Sequence, residues 1–415
     1  MRRILVACIF VALATVTIAV SNACAQAQWT RSLDNPIVPN FAGDGYAFGP
    51  SVLYDADADL YRMWFTAREY GGSWSIFNAI SEDGVTWYAY VRDPVLTSGA
   101  VLFESDGVVY CTVIRDHGQY RMWYTGVLGC CGTAIGLATS DDGIHWTRDP
   151  HNPVLVPSSV GWDSLHVSYP QVIAQGDGYR MYYEGDQGGA GQVGLATSKD
   201  GISWAKEPAN PVLPTGVSGS WDADLVSPGG VFPYRHGYAM LFTGRVANGP
   251  QSVGLATSSD GIHWTEHPAN PVFEGGGVAA WDWTIRAGSA LVRGDRVELW
   301  YSGNPLDRVQ WSTGYATSKL DRTLDDAALT LQGNVPNPFH DATRVRFDLP
   351  AASQVRLEVF DVQGHRVATL ADQPMNAGIH EVTFTVPNRK LPSGVYLCRL
   401  TAGSVRETRR MFLVR

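Results

Sequence analysis

Cysteine is scarce in this chain: there are six in 415 residues, and only Cys111, Cys130, Cys131 and Cys398 lie beyond the first 25 positions. So few thiols exclude a disulfide-built scaffold, and adjacent cysteines are poor joint zinc ligands. In an oxidising compartment Cys111 has Cys130 or Cys131 as a disulfide partner; the other reading makes all three small buried residues. No metal site and no cofactor is expected. Beyond the apolar stretch 4–20 no run of 18 apolar residues remains, so no helix spans a membrane in the mature chain. Positive charge is also in deficit, with 31 Lys+Arg against 40 Asp+Glu, and an acidic body excludes nucleic acid as the partner.

What the chain does have is glycine and aromatic side chains, 44 Gly, 14 Trp and 18 Tyr, the mark of a turn-rich β protein. Arg2 and Arg3 precede the apolar stretch, and Ala23-Cys24-Ala25 offers a small-x-small cleavage pattern. An export leader is therefore expected over residues 1–25.

The rest is organised by a repeat. GLATSDDGIHW from Gly136 returns as GLATSKDGISW from Gly194 and GLATSSDGIHW from Gly254, with looser copies at Ala79 and Gly314, five in all. Alternating side chains followed by Asp-Gly specify a strand, a tight turn and a return strand. Upstream of each hairpin lies an aromatic strand such as QYRMWYTG at 119, and before that a strand begun by glycine or proline, such as GPSVLY at 49. Four short strands per period of about 58 residues define a propeller blade. The expected fold is all-β: a five-bladed β-propeller over 28–320, a linker over 321–330 and a small Ig-like β-sandwich over 331–415. The last copy lacks its outer turn, so the segment 29–38 is expected to supply the missing strand and close the ring.

The ATSDDGIHW hairpins resemble the Asp-box of sialidases, a structural staple. Together with inner strands like GPSVLY they resemble the five-bladed glycosidase superfamily: arabinanases, β-xylosidases, invertases and levansucrases (glycoside hydrolase families 43 and 32), and the mannoside phosphorylases. That resemblance implies a carbohydrate substrate and carboxylate catalysis. In those families an aspartate begins the first inner strand, often as Asp-Pro; here the position reads Gly49-Pro50. In the tail, PNPF at 336, FDVQGHRV, AGIHEV and SGVYLCRL resemble the C-terminal sorting domain of the Por (type IX) secretion system. This implies secretion machinery as a partner and a secreted or cell-surface location.

Candidate residues come from breaks in the repeat at the funnel. After the second strand, Thr66, Thr125, Thr243 and Ser302 share one slot, and Glu184 alone puts a carboxylate there. Among apolar neighbours its pKa should rise, as a general acid needs. Asp44, Glu104 and Asp224 are the other candidate catalytic carboxylates, since glycoside cleavage commonly uses two. His166, Arg68, Arg245 and Arg286, with a rim of Trp162, Trp221 and Trp281 suited to stacking on sugar faces, are candidate substrate-binding residues. Two functions fit: a glycoside hydrolase, or a surface propeller that binds glycans without turning them over.

Overall fold

In a computed structural model the residues described are 29–38, 45–68, 71–99, 101–129, 132–234, 237–307, 309–319, 330–349, 353–376, 378–386, 391–402 and 405–415. The expected leader, nearly all of the expected linker, Asp44, Cys130 and Cys131 lie outside them.

The first unit is a ring of five four-stranded antiparallel blades. Their inner strands are Phe48–Asp55, Gly107–Asp116, His166–Gln175, Leu225–Tyr234 and Thr284–Arg293. The aromatic second strands face the neighbouring blade, and Met63, Met122, Met181, Met240 and Leu299 on them are fully buried. Stacked apolar faces between blades thus form a ring of small cores rather than one central one.

Each repeat hairpin is locked by its own side chains. Ser140 Oγ accepts the Gly143 N–H at 2.8 Å, and Asp142 Oδ1 accepts the N–H groups of Ile144 and His145, both at 2.8 Å. The same bonds recur around Asp83, Asp200 and Asp260. The hairpins also tie blades together. Trp64, Trp123 and Trp300 donate their indole N–H to the glycine carbonyl in the next blade's hairpin, at 2.8–3.0 Å, and the Tyr182 hydroxyl donates likewise at 2.9 Å. The fourth blade carries Leu241 at this position, and the fifth repeat lacks the Asp-Gly turn whose glycine would receive a donor.

Closure runs as the repeat suggests. Thr30 and Arg31 pair with Thr317 and Ala316, giving the fifth blade its outer strand. Arg31 Nε donates to buried Asp282 at 2.9 Å, and Asn35 Oδ1 accepts the Tyr315 N–H at 2.8 Å.

The second unit is a sandwich of two antiparallel sheets. One holds Thr330–Val335, Ala342–Leu349 and Gly378–Thr385; the other holds Ser353–Phe360, Arg366–Met375, Gly394–Ala402 and Val405–Leu413. Between them Phe339, Phe347, Phe384, Leu357, Leu400 and Met411 form a closed apolar core.

Candidate active site

A second set of ties joins the blades near the axis, and it explains the odd carboxylate. Each inner strand bulges within one residue of the same place, after Phe48, Val109, Ser168, Pro228 and Ala287. In four seams the slot hydroxyl of one blade accepts the N–H of the next blade's bulge. Ser302 takes Gly49 at 2.9 Å, Thr66 takes Tyr110 at 2.9 Å, Thr125 takes Tyr169 at 3.1 Å and Thr243 takes Ala287 at 3.0 Å. In the remaining seam the slot holds Glu184 and the bulge residue is Pro228. Proline has no N–H, so the donor that would have engaged the carboxylate is missing.

Glu184 is 8 % exposed, and its Oε2 has no hydrogen-bond partner. Burial lifts its pKa to about 7; the Asp186 charge adds to this, while the Ser227 hydroxyl and the Arg245 charge pull it down. The nearest cation is Arg286, whose Nη2 stands 3.8 Å from Oε2. This is a loose pair because Arg286 is held elsewhere: its Nε donates to Gln251 Oε1 at 3.2 Å and its guanidinium lies 4.1 Å from the Tyr169 ring centre. Burial lowers the Arg286 pKa, and its Nη1 also has no partner.

Tyr110 and Tyr169 sit at the bulges with φ of 43° and 52°, and their ring centres are 3.8 Å apart. Bulky residues at positive φ are strained, and such strain gathers at functional positions. The space they enclose with Gly49, Pro50, Arg286 and Ser302 is about 10 Å³, room for one water but not for a sugar.

Glu184 and Arg286 are thus brought together, with Arg245 and Asp224 beside them as a half-exposed ion pair at 3.2 Å. His166 opens the third inner strand, with Nδ1 3.5 Å from Thr133 Oγ1. Arg68 lies over the Tyr46 and Trp74 rings. Glu104 is placed differently from the funnel position expected of a pattern breaker. It is fully buried at the end of a short turn and accepts Arg148 Nε at 2.7 Å. Phe103-Glu104 occupies the position of Trp162-Asp163 and Trp281-Asp282, whose acids accept Lys206 and Arg31 at 2.6 and 2.9 Å. Glu104 is therefore a strut between inner loop and outer strand. Trp162, Trp221 and Trp281 are wedged in the blades, 5.5–5.8 Å from Tyr183, Phe242 and Tyr301 and against glycines that leave them room. Among the described residues no three His, Cys, Asp or Glu side chains cluster to hold a metal.

Residues 335–414 match the secretion system C-terminal sorting domain. A protein of uncharacterised activity from Mycobacterium tuberculosis is 34% identical over 207 residues, 47% of this chain and 65% of that protein, so the chain spans somewhat under two thirds of that relative. In fold the propeller resembles the β-1,2-mannobiose phosphorylase of Listeria innocua, with a TM-score of 0.58 and 15% identity over 72% of this chain and 98% of that one. It also resembles a structure from a study of glycoside hydrolases within the mannoside phosphorylase family that target β-1,2 linkages in Candida mannan, with a TM-score of 0.57 and 17% identity over 71% and 94% of the two chains. The family model that matches residues 74–290 is that of the β-1,4-mannooligosaccharide phosphorylases. This match supports the five-bladed glycosidase resemblance without confirming placement in the related families 43 and 32. Because the match takes in more than half of its residues, the chain belongs to glycoside hydrolase family 130.

Proposed function

We propose that the propeller cleaves β-mannosidic linkages, with Glu184 as the general acid, and that its tail directs it through the type IX system to the cell surface or medium. The supporting observation is the carboxyl of Glu184, buried, with Oε2 unpartnered, in the seam where proline stands at the position that gives a backbone donor in the other four. With a pKa of about 7, a large share of it stays protonated at neutral pH, and that proton passes to the glycosidic oxygen as the bond from C1 breaks. The activity of the family supplies the substrate class, a β-linked mannooligosaccharide. Two nucleophiles are chemically open. Inorganic phosphate attacks C1 without a protein base and leaves mannose 1-phosphate; water needs a second carboxylate, for which Asp44 and Asp224 are the candidates. The domain boundaries go with this reading: leader 1–25, catalytic propeller 28–320, sorting domain 331–415.

A second reading is a glycan-binding propeller without turnover. It draws on one observation: Asp224, the described candidate carboxylate beside Glu184 and Arg286, is engaged by Arg245 at 3.2 Å. Incubating the full chain with β-1,4- and β-1,2-mannooligosaccharides, with and without phosphate, separates the cases. Mannose 1-phosphate formed only with phosphate identifies a phosphorylase; free mannose in both identifies a hydrolase. Binding without product establishes the second reading. Glu184→Gln should cut product formation by roughly 10²-fold or more, and an unchanged rate removes Glu184 as the acid.

A further inference from the structure

The first blade has an aromatic cluster around the residue just before its third strand. That residue is small or rigid in three blades, Gly132, Gly191 and Pro250, and is tryptophan in the first and fifth, Trp74 and Trp311. The Trp74 carbonyl does the same work as glycine does elsewhere: Trp74 O accepts the Val108 N–H at 2.9 Å, as Gly191 O accepts that of Val226 at 2.8 Å. The backbone role therefore does not need an indole.

The indole is half-buried, with Tyr46 edge-on at 5.3 Å and the Arg68 guanidinium 4.7 Å from its ring centre. Phe48 packs on its other side at 5.3 Å and passes contact to Tyr110 at 5.2 Å, the ring that senses the charges of both Glu184 and Arg286. Trp74 thus begins a continuous aromatic wall that leads down to the acid. Trp162, Trp221, Trp281, Trp74 and Tyr46 are all part-exposed, but Trp162 and Trp281 each stack a face on a tyrosine of their own blade, at 26° and 27°, whereas Trp74 meets Tyr46 and Phe48 edge to face, at 89° and 79°. Tyr46 and Arg68 precede the stretch matched by the family model, so this rim belongs to the first blade of this chain.

We propose that Trp74, held upright by Tyr46 and Arg68, is a stacking platform for a pyranose ring, binding the unit of a mannooligosaccharide one or two residues beyond the linkage that Glu184 cleaves. A flat indole offers a π face to the axial C–H groups of a sugar, and a neighbouring guanidinium fixes the ring against rotation. The plug formed by Tyr110 and Tyr169 closes the axis, so a chain longer than a disaccharide must lie along the rim and reach this face.

The proposal rests on the glycoside reading, and the test separates the two. The full chain carrying Glu184→Gln, which should bind without turnover, is titrated calorimetrically with β-1,4-mannobiose, mannotriose and mannotetraose. Adding Trp74→Ala should weaken the longer two about tenfold and mannobiose less than twofold; Trp74→Phe, which keeps a ring face, should stay within about threefold. Affinities for all three left unchanged by Trp74→Ala overturn the platform while leaving the acid in place. Binding of none of the three by the wild-type chain overturns platform and glycoside reading together. If Trp74→Ala fails to fold, Trp74→Leu, which keeps bulk without a flat face, takes its place with the same two outcomes.

Discussion

Rebuilding the missing latch tests why Glu184 is unpartnered. Glu184→Thr supplies the hydroxyl that four other blades carry, and Pro228→Ala supplies the amide N–H. The informative quantity is their coupling, measured against Glu184→Val, which matches threonine in shape and lacks its oxygen. With valine at the slot, the new N–H of Pro228→Ala is buried without an acceptor, at a cost of about 1–3 kcal/mol. With threonine it is bonded, as in the seams where the distance is 2.9–3.1 Å. Replacing proline also loosens the unfolded chain by about 0.4–1 kcal/mol, but this enters both arms and cancels. A coupling of about 1–3 kcal/mol in favour of threonine is expected. Guanidinium unfolding followed by tryptophan fluorescence gives it directly. All 14 tryptophans lie between residues 29 and 311, so the signal reports the propeller and not the tail. Shifts in midpoint at constant slope then convert to free energy. A coupling below about 0.3 kcal/mol would mean that the backbone at 228 does not face the side chain at 184, and the account of the free carboxyl would fail.

Other outcomes follow from the same geometry. Folding favours the protonated form of Glu184, whose pKa rises from 4.5 to about 7, so the wild type should lose stability as pH climbs between these values and lose no more above them. Guanidinium midpoints at pH 4, 6 and 8 should therefore coincide with those of Glu184→Gln at the lowest pH and fall behind by up to about 3 kcal/mol at the highest. In the rate assay, turnover that depends on the Glu184 proton should decline as pH rises through about 7, and the residual rate of Glu184→Gln should lack this limb. Arg31→Met strands Asp282, 2 % exposed, without its cation and should cost the propeller about 3 kcal/mol by the same fluorescence assay.

Much of the propeller is legible because its determinants are local. Ser140, Asp142 and Gly143 make their bonds within four residues, so four hairpins could be read from composition and spacing. Even the exception at Leu241 has a counterpart in the sequence, the Asp-Gly turn that the fifth repeat lacks. The site is less legible because its determinants lie between blades. A bulge inserts one residue and reverses which face the next side chains take, so Tyr110 and Tyr169 read as ordinary members of alternating strands. Phe103-Glu104 hides its kinship with Trp162-Asp163 because both residue types differ and a short helical turn replaces the usual loop. Glu184 could be found, as the one acid in a column of hydroxyls. Its relation to Pro228 could not, since that requires knowing which residues meet across the seam.

The two substitutions at that seam make physical sense only as a pair. Glutamate facing an amide N–H would accept a strong charge-assisted bond, and its pKa would be drawn down rather than up. Proline facing threonine would leave a buried hydroxyl without its donor and weaken the ring for nothing. Together they remove a latch and leave a carboxyl whose surroundings favour the proton. Arg286 could still undo this by closing to a short ion pair, as Arg148 does with Glu104 at 2.7 Å elsewhere in the ring. It is kept at 3.8 Å because the Tyr169 ring and Gln251 hold the guanidinium from other directions. The strained backbone at Tyr169 thus acquires a chemical consequence: it places an aromatic face where it restrains the cation nearest the acid.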